Sequence, residues 1–145
     1  MSYDVVVGVD TSDASRRAVQ FACKLQSSEL VGPMLLVHVV PWSPFSFNTP
    51  EENERRHAQH TAEVKAAAEQ VLRPMQEVAA EAGGAADIRV RHGDPVEVLE
   101  DIARKESARL VVVGRTGDTG IRQRLFGGLP AHLVQSCGIP VVVVP

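Results

Sequence analysis

The sequence predicts an α/β fold, namely an open, doubly wound, five-stranded parallel sheet in the order 3-2-1-4-5 with helices on both faces. Two observations support this prediction. Short apolar runs rich in valine recur along the 145-residue chain, and a segment with helical spacing or helix caps separates them. Alternation alone does not fix the strand order, but 3-2-1-4-5 is a common doubly wound order and puts its switch point between strands one and four.

The first half of the chain supplies two strands and two helices. Val5 to Val9 is β-branched and apolar, which predicts a buried strand, and Met34 to Val40 predicts the second. Between them, Ser15 to Gln26 has apolar residues at helical spacing behind several candidate N-caps. Glu51 to Ala82 is rich in Ala, Glu and Gln and predicts one long amphipathic helix, which Pro74 should kink or split.

The second half completes the alternation. Asp87 to Arg91 alternates in polarity and predicts a third strand near an edge of the sheet. A His-Gly-Asp-Pro turn then opens a helix from Pro95 to about Lys105. Leu110 to Val113 is predicted as the fourth strand, Leu129 to Cys137 as a short helix, and Ile139 to Val144 as the fifth strand.

Composition excludes several classes of protein. The formal net charge of −3 argues against a nucleic-acid binder, which usually presents a basic face. Cys23 and Cys137 have no CxxC spacing, as expected of ordinary thiols in a reducing compartment. No apolar run approaches the roughly 20 residues of a membrane span, so no membrane insertion is expected. We predict a single cytoplasmic domain over residues 1–145.

A glycine-rich segment follows the fourth strand. It contains neither a dinucleotide fingerprint nor a P-loop, but it spaces Gly114, Gly117 and the pair Gly127-Gly128 along one loop. Glycines let backbone N–H groups approach an anion, and the helix start adds its partial positive charge. A mobile connection fits the same residues, so geometry alone leaves both interpretations open. At the switch point of the predicted sheet this loop would lie beside Asp10.

These segments resemble the universal stress protein family, in its nucleotide-binding subgroup. The matching pieces are VVVGVDTSDASRRAV, LLVHVV, HGDPVEVL, LVVVGRTG, a following GG and PVVVVP, in family order over essentially the whole chain. The resemblance implies the adenine nucleotide alpha-hydrolase-like fold and a stress-response regulator that binds an adenine nucleotide. ATP is the first candidate, AMP and ADP are alternatives, and Mg²⁺ could accompany the phosphates.

The resemblance also implies which positions contact the nucleotide. Asp10 and Thr11 would lie by the ribose and phosphates, and Val39 would contact adenine. The remaining positions, which would line the adenine and ribose or wrap the phosphates, are Val113, Gly114, Arg115, Gly117, Gly127, Gly128 and Leu129. Asp10 could instead cap the following helix, although Thr11, Ser12 or Asp13 could also do so. No catalytic residue and no metal ligand is predicted.

The chain departs from the family pattern at Gly128, where the family has Ser or Thr. A lost hydrogen bond to a charged group weakens binding by about 1.5–3 kcal/mol, or roughly 10- to 150-fold. Arg115, Arg122 or Arg124 could replace it by pairing with a phosphate. Three hypotheses therefore stay open: a nucleotide-binding regulator, a dimeric interaction domain that has lost the nucleotide, and a slow ATPase with Asp118 as its only acidic loop residue.

Two further expectations concern surfaces. The resemblance implies a homodimer through the last strand, and the apolar run Ile139 to Val144 suits an edge that pairs with another chain. The sequence does not name the protein partner of such a regulator. Trp42, Phe45 and Phe47, between the second strand and the long helix, could form a lid over the pocket or pack that helix against the sheet.

Overall fold

The computed structural model describes residues 2–41, 49–116 and 128–145. Several residues singled out in the sequence lie outside these ranges. The aromatic ones are Trp42, Phe45 and Phe47, and those of the glycine loop are Gly117, Asp118, Arg122, Arg124 and Gly127.

Five parallel strands form one sheet in the predicted order, β3-β2-β1-β4-β5. They are β1 (Val5–Gly8), β2 (Met34–Val40), β3 (Ala86–His92), β4 (Leu110–Gly114) and β5 (Val141–Val144). Strand β1 lies at the centre, where Gly8 is in register with Val37 of β2 and Val113 of β4. The chain reverses its direction of travel across the sheet between β1 and β4, which confirms the predicted switch point.

Helices cover both faces of the sheet, as predicted. They are α1 (Asp13–Ser27), α2 (Pro50–Ala67), α3 (Arg73–Glu81), α4 (Pro95–Lys105) and α5 (Gly128–Ser136). Helices α1 and α3 pack on one face, and α4 and α5 pack on the other. Within the described ranges, no helix combines the length and apolar character that crossing a membrane requires.

The central strands are apolar on both faces because both faces are covered. Val5, Val6 and Val7 are each 0% exposed, with Val5 and Val7 in the cluster under α1 and α3 and Val6 in the one under α4 and α5. A continuous valine run, rather than an alternating one, is what a doubly covered parallel strand requires.

The observed boundaries differ from the predicted ones mainly where a cap or a proline decides them. Helix α1 begins at Asp13, two residues earlier than predicted, because Ser12 caps it. Strand β5 begins at Val141, so the predicted start at Ile139 is wrong. Pro140 has no N–H to give to a ladder, although its carbonyl accepts a hydrogen bond from Val111 N–H at 2.9 Å.

The predicted long helix is split near Pro74. A capping box of Thr49 and Glu52 starts α2, and a π-helical turn, Ala68–Leu72, separates it from α3. In this turn Arg73 N–H bonds to Ala68 O, five residues back instead of four. Proline has no N–H for the carbonyl four residues back, and its ring clashes with that carbonyl. The widened turn relieves this conflict by accommodating one extra residue.

Candidate functional site

At the carboxyl end of β1, the Asp10 side chain is held by two donors. Asp10 Oδ1 accepts a hydrogen bond from Ser12 N–H at 2.8 Å and another from the Ser15 hydroxyl at 2.9 Å. Ser15 Oγ also accepts from Asp10 N–H at 2.9 Å, and Ser15 is only 4% exposed. The neighbouring Thr11 is exposed. The carboxylate of Asp10 is therefore oriented by a buried hydroxyl and a backbone amide.

Ser12 resolves the question of which residue caps α1. Its side chain accepts a hydrogen bond from Ser15 N–H at 3.1 Å, as an N-cap residue does. The same hydroxyl donates to Thr116 O at 3.4 Å, at the end of the described range 49–116. Ser12 thus connects the start of α1, and through it Asp10, to the residues that follow β4.

Gly114, at the end of β4, has a packing role that the sequence analysis did not foresee. A methyl group on its Cα would lie 2.8 Å from the backbone carbon and the Cβ of Ala14. Glycine therefore allows the first turn of α1 to pack directly on the end of β4. The next residue, Arg115, uses its N–H in the sheet, donating to Val144 O at 2.6 Å, while the residue itself is exposed.

Three of the predicted adenine and phosphate contacts belong to the face covered by α4 and α5. Val113 is 1% exposed, and Val39 and Leu129 are partly buried against the same cluster. The side chains of Val113 and Leu129 are thus engaged in packing, and what they can offer a ligand is mainly backbone. At the start of α5, Gly128 has φ = +52°, in the left-handed region that favours glycine.

The conformation of Gly128 disfavours the Ser or Thr that the resemblance implies at this position. A Ser or Thr at this φ would be strained, so the hydroxyl and this backbone conformation are poorly compatible.

Contacts of α1 with Gly114 and Thr116 bring Asp10 and the end of β4 together at the switch point. Gly117 and Gly127 lie outside the described residues.

Sequence reasoning missed Ser12 and Ser15 as parts of this site. The signal was present as the spacing Asp10-x-Ser12-x-x-Ser15. An aspartate followed two residues later by an N-cap serine is typical of a side chain that accepts from the nearby backbone. The second serine falls in the first turn of α1, where its side chain can reach back to the strand end.

A second polar region lies at the carboxyl end of β3. His92 Nε2 is 3.1 Å from Glu63 Oε2 of α2, and the His60 and His92 rings are 4.7 Å apart between centroids. An open groove runs from here along α4. In it Asp101 accepts from Lys105, whose hydrogen bond lowers the pKa of that carboxyl, with Arg104 and Arg91 adding to the effect. The ion pairs at this end of the sheet bind parts of the chain to one another.

Metal binding has no support in the part of the chain that the structure covers. Across residues 2–41, 49–116 and 128–145, no three or more His, Cys, Asp or Glu side chains are grouped so that they could hold a metal ion. His92, at the end of β3, contacts Glu63, and its ring lies against the ring of His60 on α2.

The chain is similar to one known protein family over its whole length. A family model described as "Universal stress protein family" matches residues 1–145. A universal stress protein of Mycobacterium tuberculosis is 30% identical over 142 residues, covering 97% of this chain and 94% of the relative. A second universal stress protein of the same organism is 32% identical, and this chain spans about half, 47%, of its length.

Solved structures of universal stress proteins share the fold of this chain. The universal stress protein UspA from Lactobacillus plantarum has a TM-score of 0.77 at 22% identity, covering 100% of this chain and 99% of that one, which shows the shared fold. A universal stress protein crystallised in complex with cAMP has a TM-score of 0.70 at 26% identity, with the same coverage of both chains. With the family model spanning every residue, this chain belongs to the universal stress protein family.

Proposed function

We propose that this chain is a stress-response regulatory protein that binds an adenine nucleotide, with ATP preferred, in the crevice between the carboxyl ends of β1 and β4. The observation that carries the proposal is the oriented carboxylate of Asp10 beside the end of β4. Crevices at such switch points are the usual ligand sites of open α/β sheets. A relative of the same fold, 26% identical, was crystallised with cAMP.

Each part of the crevice suits one part of a nucleotide. The carboxylate of Asp10 is an acceptor for sugar hydroxyls, and the backbone of Val39 can meet the polar edge of adenine. Phosphates would lie by the glycine loop and the amino end of α5, where unpaired N–H groups and the helix dipole favour negative charge. The exposed Arg115 can pair with a phosphate. If Mg²⁺ binds, it would enter with the phosphates.

One observation favours the alternative in which nucleotide binding has been lost. Gly128 lacks the hydroxyl of the family pattern, and its φ of +52° makes the hydroxyl-bearing residues strained there. In that case the chain would act as a dimeric interaction domain in stress signalling. A slow ATPase is the third candidate, and its acidic residue Asp118 is outside the described ranges.

We also propose a homodimer formed through β5. Pro140 O accepts a hydrogen bond from Val111 N–H of β4, and Val144 O accepts one from Arg115 N–H just after β4. In the parallel pattern the backbone groups of Val141 and Val143 therefore turn to the opposite edge. Among the described strands none pairs with that edge. The strand is four valines without a charge, and an apolar edge of this kind favours pairing with another chain.

The dimer can be tested by its oligomeric state. Val143→Pro removes one outward N–H and should shift the protein from dimer to monomer in sedimentation equilibrium. Val142→Ala, on the β4-bonded position, is the control and should remain dimeric. A wild-type protein that sediments as a monomer at high concentration would overturn the dimer proposal.

We also propose that residues 1–145 form one domain and that the protein is cytoplasmic.

Calorimetry tests the nucleotide proposal directly. The purified protein is titrated with ATP, ADP, AMP and cAMP, each with and without Mg²⁺, and with GTP as the control for the base. Phosphate release is followed in the same samples. We expect ATP to bind more tightly than GTP and to remain intact. No binding of any adenine nucleotide at millimolar concentration would support the lost-site alternative, and steady phosphate release would support the ATPase.

A further inference from the structure

We infer that Ser15 is a positioning residue for the nucleotide site: its buried hydroxyl fixes the direction of the Asp10 carboxylate, and through it sets the affinity for the nucleotide. The inference rests on the proposed function for its second part only. It concerns a residue that does not itself need to touch the ligand, because Ser15 is 4% exposed.

The hydroxyl group of Ser15 bonds to Asp10 twice. Ser15 Oγ accepts from Asp10 N–H and donates to Asp10 Oδ1, both at 2.9 Å. Backbone and side chain of the same aspartate are therefore tied to one oxygen atom. Rotation of the Asp10 side chain away from its present direction would break the second bond and leave a buried hydroxyl without that acceptor, which is unfavourable.

Ser15 is also buried. Ser15 lies in the first turn of α1 and is the only polar residue among the described ones that counts as buried. A serine hydroxyl in a helix often returns to the carbonyl of the preceding turn. Here the Ser15 hydroxyl bonds to Asp10 at the end of β1 instead. The end of the strand and the start of the helix are therefore joined by a buried side chain, whose position is fixed by packing.

The hydrogen bonds around Asp10 continue to Ser12 and Thr116. Ser12 N–H donates to the same Asp10 Oδ1 at 2.8 Å, and Ser12 Oγ lies 3.4 Å from Thr116 O. A change in the direction of the Asp10 carboxylate would therefore weaken the hydrogen bond of Ser12 N–H. This bond can be followed without any ligand. Loss of the Ser15 hydroxyl should change the hydrogen bond of Ser12 N–H only through Asp10 and the local capping geometry.

The first measurement needs no nucleotide. Residue-resolved hydrogen exchange is followed by NMR in the wild type and in Ser15→Ala, with Tyr3→Phe as the control. Tyr3→Phe removes a hydrogen bond at the other end of the sheet and reports any general loss of stability. We expect Ser12 N–H to exchange about tenfold faster or more in Ser15→Ala than in the control. Ser15→Cys, close in size, gives a second variant if the alanine protein folds poorly.

The second measurement is a double-mutant cycle on nucleotide affinity. Ser15→Ala should weaken AMP and ATP binding about five- to tenfold in the wild-type background. In an Asp10→Asn background the same change should have an effect of less than about twofold, because the group that Ser15 positions has already been altered. A purely structural serine would weaken binding equally in both backgrounds.

The outcomes separate the two proposals. Unchanged exchange of Ser12 N–H in both Ser15 variants overturns the inference, and so does an equal loss of affinity in both backgrounds. Faster exchange in a wild-type-like protein that binds no nucleotide overturns the proposed function while it supports the positioning of Asp10 by Ser15. Faster exchange together with a background-dependent loss of affinity supports both.

Discussion

Strand β1 has an aspartate just outside each of its ends, and the two carboxylates are held differently. Before the strand, Asp4 Oδ2 accepts Gly32 N–H at 2.7 Å and lies 3.8 Å from Arg109 Nη1. After the strand, the hydrogen bonds that hold Asp10 Oδ1 come from an amide and a hydroxyl. A cation of the same chain faces the first carboxylate, whereas an amide and a hydroxyl, which are neutral donors, orient Oδ1 of the second.

The rest of the amino end follows the same principle as Asp4. The Tyr3 hydroxyl donates to Asp87 Oδ2 at 2.6 Å, and Arg89 is 3.5 Å from Glu106 and lies 5.9 Å above the Tyr3 ring. These side chains bond to and pair with one another within the chain. Before β1 the carboxylate of Asp4 thus has a cation of the chain beside it, whereas after β1 the carboxylate of Asp10 is oriented by hydrogen bonds in the crevice where we propose that a nucleotide binds.

The largest expected effect is on ligand binding at the carboxyl end. Asp10→Asn should weaken adenine nucleotide binding by about 10- to 150-fold, because a hydrogen bond to a charged group contributes about 1.5–3 kcal/mol. The free energy of unfolding should change by less than about 1 kcal/mol. Calorimetry and urea denaturation measure the two. Asp13→Asn, which removes an exposed charge three residues away, is the matched control and should bind normally.

The reverse pattern is expected at the amino end. Asp4→Ala leaves Gly32 N–H without its acceptor and should lower the free energy of unfolding by about 1–3 kcal/mol. Nucleotide affinity should stay within about twofold of the wild type. The same two measurements apply. If Asp4→Ala weakened nucleotide binding but left the free energy of unfolding unchanged, the assignment of stability to Asp4 and of binding to Asp10 would be wrong.

A smaller effect tests the supply of donors at the carboxyl end. Gly128→Ser and Gly128→Ala both place a Cβ at φ = +52° and should each lower the free energy of unfolding by about 1 kcal/mol. Only the serine adds a hydroxyl. Tighter ATP binding by the serine variant than by the alanine variant would show that the site lacks this donor. Equal affinities would show that the backbone or the arginines already suffice.

The smallest effect is a pH dependence at the amino end. The hydrogen bond to Asp87, with burial as a lesser cause, raises the pKa of Tyr3 above its ordinary 10.0. Because the folded pKa is the higher one, this stabilisation is complete below pH 10 and is lost as the pH rises through the folded value. Tyr3→Phe should lower the free energy of unfolding by about 0.5–1 kcal/mol at pH 7, since solvent screens the exposed pair. The difference from the wild type should vanish at high pH.

The sequence was sufficient for the features that depend on pattern. Apolar or alternating runs and the helical segments between them predicted every described strand. The strand order was chosen as a common doubly wound order, and the structure confirms it. The position of Asp10 beside the end of β4 followed from that order. Pro74 correctly marked the break in the long helix, since its missing N–H acts locally.

Features that depend on tertiary contact were not visible in the sequence. The role of Ser15 needs the strand end to lie over the first turn of α1, and the role of Gly114 needs Ala14 packed against it. The φ of Gly128 is a property of the backbone path rather than of its neighbours in sequence. Each of these residues was assigned to ligand binding or left unassigned because the sequence shows residue types and not distances.

The π-helical turn Ala68–Leu72 makes the region sensitive to the loss of a single codon. The turn holds one residue more than the α-helical count, so deleting one residue here would restore a continuous α-helix with α2 and α3 close to their present directions. The restored helix would press the ring of Pro74 against a carbonyl, at about 3 kcal/mol. One proline ring thus penalises shortening of this helical segment by a single residue.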